Sequence, residues 1–387
     1  DDKAIKFYYL AYLAGLRGDN AAKDKYIGLA DNCSWKCEFP VRTETVPVLK
    51  AAGTAMAHYY IGCIYYAYER YGEAVDEWKQ TVAKIDFAPA YRNMALGLYD
   101  HLGKAEEATA ALEKAHKLMP ESNRIFFELT QLYKGLNMPV EKRLDLYKNE
   151  EKTVYTRDDC TLQYSVLSTI AGDMDKAFGI LADHRFHTYE GGEGYLTQHH
   201  AWLHFITGRK LLNEKKYKEA EEMLVSGLTF PLNYGEEKNY FVNDAPIYLE
   251  LAKVYEAQGL NAKRDEYLNL ALTTHGAPTV HSYYECLAYN ALGKSAEANA
   301  LANEMAEIGN HKIETAEIPE YYGVGSPAYQ PFNYDIEKVH RLAGYLMCGF
   351  AALAKGDKVK AKEYAEKAEK IDCADFSLYL LKGEING

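Results

Sequence analysis

Small and large apolar residues recur along this chain with a long, regular period, which predicts paired amphipathic helices. The stretch IGCIYYAYERYGEAVDEW places Gly62 and Tyr65 on a first helix and Ala74 and Trp78 on a second. The frame returns 34 residues later at Tyr99, Gly103, Ala108, Leu112, Ala115 and Pro120. The repetition predicts an all-α fold, a single α-solenoid of about nine helix pairs over residues 1–387.

The residue types that recur have a packing reason. A small residue at the eighth position of a unit lets its first helix lie close to the second, and large residues fill the groove between them. A glycine near the fifteenth position supplies the turn, as in YEAQGLNAK and LAKGDKVKA. The pattern resembles the tetratricopeptide repeat. The resemblance implies a right-handed superhelix in which the first helix of each pair lines the concave face.

Four inserted loops interrupt the period, near residues 32–53, 184–197, 230–246 and 310–337. Insertions in a repeat array map to loops, which often carry the specific contacts. In the first loop we expect Phe39, Val41, Val46 and Leu49 to pin the segment to the solenoid. The fourth loop gathers tyrosines around prolines, which is typical of a contact surface or a self-packed cap.

The segments FPVRTETVPVL, RFHTYEGGEG, FPLNYGEEKN and HRLAGYLMCGFAALAKGD together resemble the long repeat region of large bacterial proteins of unknown function. Those proteins carry an upstream β-sandwich domain similar to galactose mutarotase. The resemblance implies a carbohydrate context and an upstream domain as a partner. Family members often carry Pro-Trp where this chain has Thr188 and Tyr189, so here Tyr189 would make any aromatic contact that the tryptophan makes in those proteins. Since the chain starts DDKAIKF and its first methionine is Met56, we expect it to be part of a longer protein.

The second loop, FHTYEGGEGYLTQ, is the leading candidate for partner contacts. In one interpretation its glycines allow positive φ angles while the chain turns into a helix that begins near Tyr195. In the other, its side chains present acceptors and a titratable ring to a partner or a sugar. The candidate contacts are His187, Tyr189, Glu190, Gly191, Gly192, Glu193 and Gly194, with Gln198 beside them.

Catalysis and metal binding have weaker support. A glycosidase needs two carboxylates about 5 to 9 Å apart across a cleft, and the sequence shows no cleft for Glu190 and Glu193. His200 and His204 share a helix face, but the H-E-x-x-H arrangement is absent. Among seven cysteines only Cys33 and Cys37 form a close pair. We therefore predict no catalytic residue, no metal and no cofactor.

The repeat frame also predicts which side chains line the concave face. They are Tyr59, Tyr66, Asn93, Gln131, Arg209, Lys253 and Tyr283. No unit combines the lysine and asparagine that tetratricopeptide domains use to bind the C-terminal carboxylate of a chaperone. The mixture of tyrosine, amide and basic side chains suits peptides or sugars instead.

Charge and hydropathy limit the partners. The net charge of −12 argues against nucleic acid and anionic membranes, which attract a positive surface. No apolar run reaches the roughly 18 residues of a membrane span, so no span is expected. The seven cysteines are odd in number and scattered, which does not suit a disulfide framework and favours a reducing, cytoplasmic location. The leading hypothesis is a non-enzymatic scaffold that binds a protein, a peptide or an upstream domain of its own chain. The alternative is a carbohydrate-binding or carbohydrate-active accessory module.

Overall fold

A computed structural model describes residues 3–36, 38–189, 191–238, 242–273, 277–315, 331–333 and 335–387. These residues contain 21 α-helices, a π-helical turn, a 3₁₀ turn and no strand, which confirms the predicted all-α class. The chain divides into two compact units. Unit 1 comprises Asp1–Leu132 with Pro331–Asn333, and unit 2 comprises Tyr133–Gln330 with Tyr334–Gly387. Their continuity as one solenoid stays a prediction.

Unit 1 is built from helical hairpins. Its helices are α1 (Ala4–Leu16), α2 (Asn20–Asp31), α3 (Thr45–Ala52), α4 (Ala55–Ala67), α5 (Tyr71–Val82), α6 (Ala88–Leu96) and α7 (Ala105–Leu118), with a π-helical turn at Gly97–His101. The hairpins are α1 with α2, α4 with α5, and α6 with α7. Helix α8 (Asn123–Gly135) crosses the boundary between the units.

Unit 2 repeats the arrangement. It contains α9 (Val140–Asn149), α10 (Glu151–Val154), α11 (Asp158–Ile170), α12 (Met174–Asp183), α13 (Tyr195–Asn213), α14 (Tyr217–Ser226), α15 (Ala245–Ala257), α16 (Asn261–Leu270), α17 (Ser282–Ala291), α18 (Ser295–Glu314), α19 (Ile336–Ala354), α20 (Lys358–Glu369) and α21 (Phe376–Asn386). The hairpins pair α11 with α12, α13 with α14, α15 with α16, α17 with α18, and α19 with α20. Among the residues that the structure covers, no helix has the length and apolar character of a membrane span.

The small residue at the eighth position has the predicted packing role. A Cβ placed on Gly62 of α4 would lie 2.4 Å from Nε1 of Trp78 on α5, and one on Gly208 of α13 would lie 2.5 Å from Cγ of Leu224 on α14. Both large residues are fully buried and sit 16 residues after their glycine. The missing methyl group is what lets the second helix of each hairpin lie against the first.

We expect Gly62→Ala to lower the free energy of unfolding by about 1–2 kcal/mol, because the added methyl overlaps the Trp78 indole, which is buried and donates a hydrogen bond to the Tyr59 carbonyl. The matched control is Gly28→Ala on α2, where a Cβ meets no atom within 4 Å. Alanine has the higher helix propensity, so this variant should be neutral or slightly more stable. Urea unfolding of both variants measures the difference, and equal stabilities would contradict the packing role.

The predicted turn glycines are confirmed. Gly259 and Gly356 end the first helices of their hairpins with φ angles of +75° and +78°, a conformation that costs glycine no side-chain clash. Glu69 and Lys215 take the same left-handed conformation at two other hairpins.

Three of the predicted inserted loops contain more helix than expected. The segment 32–53 includes α3, and within it Val46 and Leu49 are buried as predicted. Phe39 and Val41 are 81% and 57% exposed, so the prediction that they pin the segment is wrong. Residues 232–234 form a 3₁₀ turn inside the third loop, and residues 310–314 extend α18 into the fourth. Residues 316–330, with most of the aromatic segment, lie outside the described residues.

Candidate functional site

The second and third inserted loops meet in unit 2 and form one surface. We call residues 184–195 and 230–238, with Glu190 outside the described residues, the joined-loop surface. The backbone N–H of Phe186 donates to the carbonyl of Asn233 at 2.8 Å. The Asn233 side chain adds two more bonds between the loops, since its Nδ2 donates to the carbonyls of Leu181 at 2.9 Å and His184 at 2.7 Å. The N–H of Gly194 donates to Glu236 at 3.3 Å.

Asp158, the first residue of α11, fixes the other side of this surface. One carboxylate oxygen lies 2.6 Å from Nε2 of His184. The other accepts from the backbone N–H of His187 at 2.9 Å and lies 3.2 Å from its Nδ1. A single acid therefore orients both histidines and the chain between them.

The glycines confirm part of the first interpretation of this loop. Gly191 and Gly194 have φ angles of +83° and +80°, and α13 begins at Tyr195 as predicted. Gly192 is not among the positive-φ residues, so that part of the prediction is wrong. A glycine is required at position 192 because the Tyr189 ring packs against it, and a Cβ on Gly192 would overlap that ring.

The loop offers no room for a sugar in the cleft beneath it. The cleft between the loop, α11 and Tyr234 has a volume of about 20 Å³, which is close to the space for one water. Glu193 uses one oxygen to accept from the N–H of Gly191 at 2.9 Å. Glu190, the other carboxylate considered for a glycosidase pair, lies outside the described part of the chain.

Three apolar side chains project from the joined-loop surface. Tyr189 is 39% exposed, Tyr195 66% and Leu232 99%. Burial, followed by the nearby carboxylates of Asp159 and Asp158, raises the pKa of Tyr189 to about 12. Its hydroxyl is therefore a neutral donor at physiological pH.

We expect Asn233→Ala to loosen the joined-loop surface while leaving the helices folded. The substitution removes the donor that holds the carbonyls of Leu181 and His184, at a cost of about 1–2 kcal/mol. Hydrogen exchange in residues 184–194 should become faster. The control Asn269→Ala removes an exposed amide that bonds only within α16, and should leave the exchange of this segment unchanged.

The histidines of α13 are engaged inside unit 2. His199 lies 3.0 Å from the Ser165 hydroxyl, and His200 bridges the Tyr234 hydroxyl at 2.9 Å and the Ser226 carbonyl at 3.1 Å. His204 Nδ1 donates to the His200 carbonyl at 2.9 Å. Burial lowers the pKa of His199 to about 3 and that of His204 to about 4. In the described part of the chain no group of three potential ligands could hold a metal ion.

Three of the predicted concave-face residues come together in unit 2. Arg209 donates from Nε and Nη2 to Glu250 at 3.0 and 2.8 Å, and Lys253 reaches the same oxygen at 2.8 Å. Tyr283 is buried, with its hydroxyl 3.5 Å from Glu384. Their role in partner binding stays a prediction, but each already has a contact within the chain.

The predicted concave-face residues of unit 1 are buried or half-buried, and their role in partner binding stays a prediction. Tyr59 is buried with its ring 5.0 Å from that of Phe87, and Tyr66 is half-buried against Trp78. Asn93 and Gln131 are also half-buried. Sequence reasoning missed Asp158, Asn233 and Leu232, because none of them belongs to the repeat frame.

No protein-family model matches the chain. Solved structures similar to it include YrrB, described as a TPR protein with an unusual peptide-binding site. The two are 17% identical, the match covers 47% of this chain and 88% of that chain, and the TM-score is 0.30. Naa15/Naa10 bound to HypK-THB is 13% identical, with 97% and 64% coverage and a TM-score of 0.38. The C-terminal part of a TPR repeat-containing protein from Cytophaga hutchinsonii is 15% identical, with 79% and 98% coverage and a TM-score of 0.33.

Proposed function

We propose that this chain is a non-enzymatic scaffold that binds a protein partner through the joined-loop surface of unit 2. The observation that supports the proposal is the exposure of Tyr189, Tyr195 and Leu232 on a framework held by Asp158 and Asn233. An exposed leucine on an ordered turn is unfavourable in water, and its burial against a partner contributes about 1.5–3 kcal/mol.

The framework matters because binding costs conformational entropy. Hydrogen bonds already hold the backbone at Phe186, Asn233 and Gly194, so a partner does not have to order these positions. Tyrosine side chains lose few rotamers on burial and are enriched among the residues that dominate binding energy. The surface therefore has the features of a preorganised protein contact.

The finer proposal names an upstream region of the same longer protein as the partner. It is supported by the resemblance of the loop segments to proteins that carry such a domain. A calorimetric titration of this chain with its separately expressed upstream region tests it. We expect binding that weakens at least tenfold in the double variant Tyr195→Ser, Leu232→Ser.

The matched control is Val359→Ser on α20, which is 74% exposed and away from both loops in sequence. It should bind like the unmodified chain. No measurable heat with the unmodified chain would contradict an upstream partner, and equal weakening by Val359→Ser would contradict the joined-loop surface as the contact. The carbohydrate alternative is not proposed, since the cleft under the loop measures about 20 Å³, which is close to the space for one water.

A further inference from the structure

The first helix of unit 1 leaves apolar side chains open to solvent. Helix α1 packs against α2 and α3 and buries one face there. On another face Leu10 is half-buried, Leu13 is 47% exposed and Leu16 is 68% exposed. The terminal unit of a repeat array needs a polar outer face when no further helix covers it. The exposed leucines therefore mark a face of α1 that is built to be covered.

Two other helices show that this face is a packing face. Helices α1, α4 and α15 each have 13 residues, and in each case the next helix begins after three more residues. Their positions can therefore be matched one to one. The counterparts of Leu10 and Leu13 in α4 and α15 are all 0% exposed: Ile61, Ile64, Leu251 and Val254. Only in α1 do these positions lack a cover.

The covering helix in α15 is the one that precedes it. Helix α14 packs against α15, and a Cβ on Gly227, just after α14, would lie 2.9 Å from Cδ1 of Ile247. Ile247 is the third residue of α15 and corresponds to Lys6 of α1. Helix α14 carries three glutamates against one lysine. Helix α5, which packs against the following α6, likewise has three acids and one lysine.

Basic residues stand on both sides of the open leucines. Lys3, Lys6, Leu10, Leu13 and Arg17 follow one another at intervals of three, four, three and four residues, which places them along one side of the helix. We call these five residues the α1 stripe. Residues 3–17 contain three bases and no acid. The stripe thus combines an apolar centre with positive ends, in a protein whose net charge is −12.

The charges of the stripe favour one kind of cover. The acids at the two ends of α1 have backbone partners, since Asp19 accepts from the N–H of Ala22 at 2.9 Å and Glu38 from the N–H of Ala4 at 3.2 Å. A second copy of the stripe would bring like charges together. An acidic helix of the type of α14 instead matches both the leucines and the bases.

We propose that the α1 stripe binds an acidic amphipathic helix of a partner protein, which covers α1 as α14 covers α15. Apolar residues of the partner helix remove Leu10 and Leu13 from water, and its acids lie near Lys6 and Arg17. This site goes beyond the joined-loop surface, because it lies in unit 1 and takes a helix.

The probe is a copy of residues 217–228, the α14 sequence, joined to the N-terminus of the full chain by a glycine–serine linker of about ten residues. Such a linker gives the copy an effective concentration in the millimolar range. Hydrogen exchange of residues 4–16 should become at least threefold slower than in the chain without the extension. An extension in which the three glutamates are replaced by lysine should lose most of this protection.

The stripe is tested by Leu13→Ser, which should remove the added protection. The matched control is Leu260→Ser in unit 2, a leucine of similar exposure at 44%, which should leave the added protection unchanged. Each variant is compared with the same variant without the extension, so any direct effect on stability cancels. No added protection overturns the proposal, as does equal protection by the lysine extension. Sedimentation of the chain without the extension is the last check: a monomer is expected, and a dimer that Leu13→Ser dissociates overturns the proposal in favour of a second copy.

Discussion

Replacing Arg143 with alanine should lower the free energy of unfolding of unit 2 by about 3–5 kcal/mol. Arg143 on α9 and Asp372 after α20 are both buried, and their charges meet at 2.9 Å. Removal of the guanidinium leaves the Asp372 carboxylate buried without its counter-ion. The Ala374 N–H, at 3.0 Å, then remains as a donor to it and cannot neutralise the charge. Urea unfolding measures the loss.

Two further variants test whether the loss of stability comes from the burial of the pair and not from the loss of an ion pair as such. Arg341→Ala removes an exposed pair with Glu337 one helical turn away and should cost less than about 1 kcal/mol. The double variant Arg143→Met, Asp372→Asn has no buried charge and keeps an acceptor for Ala374, so it should recover much of the loss. A single Arg143→Ala variant as stable as Arg341→Ala would contradict the buried-pair account.

Acidification from pH 7 to pH 5 should destabilise unit 2 through the histidines of α13. The pKa of His199 falls from 6.5 to about 3, and that of His204 to about 4, because both rings are buried. A lowered pKa means that the unfolded chain binds protons first, so stability is complete above pH 6.5 and is lost as the pH falls toward the folded values. At pH 5 each ring contributes a loss of about 2 kcal/mol.

The variant His199→Gln isolates one of these contributions. Glutamine does not titrate, so the loss of stability between pH 7 and pH 5 should be smaller by about 2 kcal/mol than in the unmodified chain. The comparison uses the difference between two pH values, which removes any constant cost of losing the contact to Ser165. Equal pH dependence in the two proteins would show that His199 is not the titrating group.

The fold followed from the sequence where the determining contacts are local. Gly62 and Trp78, or Gly208 and Leu224, belong to one hairpin and are 16 residues apart, so the repeat frame places them correctly. The turn at Gly259 has an equally local cause. Phe39 and Val41 were misplaced because an apolar side chain in a loop carries no period that indicates which face it takes.

The candidate site was only partly predictable for the opposite reason. The glycine loop was found from its composition, but its attachment depends on Asn233, about 50 residues away, and on Asp158 in another helix. Arg209 was placed on the inner face by the frame, yet its pairing with Glu384 joins positions 175 residues apart. Such contacts depend on how the hairpins of unit 2 pack together, and no short sequence pattern predicts that packing.

The central claim is that the joined-loop surface binds a protein, and site-specific photo-crosslinking tests it most directly. A photoreactive phenylalanine analogue is placed at Leu232, at Tyr195 or, as a control, at Val359, in cells that make the full-length protein. The account predicts the same ultraviolet-dependent adduct from Leu232 and Tyr195 and none of that mass from Val359. Adducts of equal yield at all three positions, or no adduct at either loop position, would contradict it.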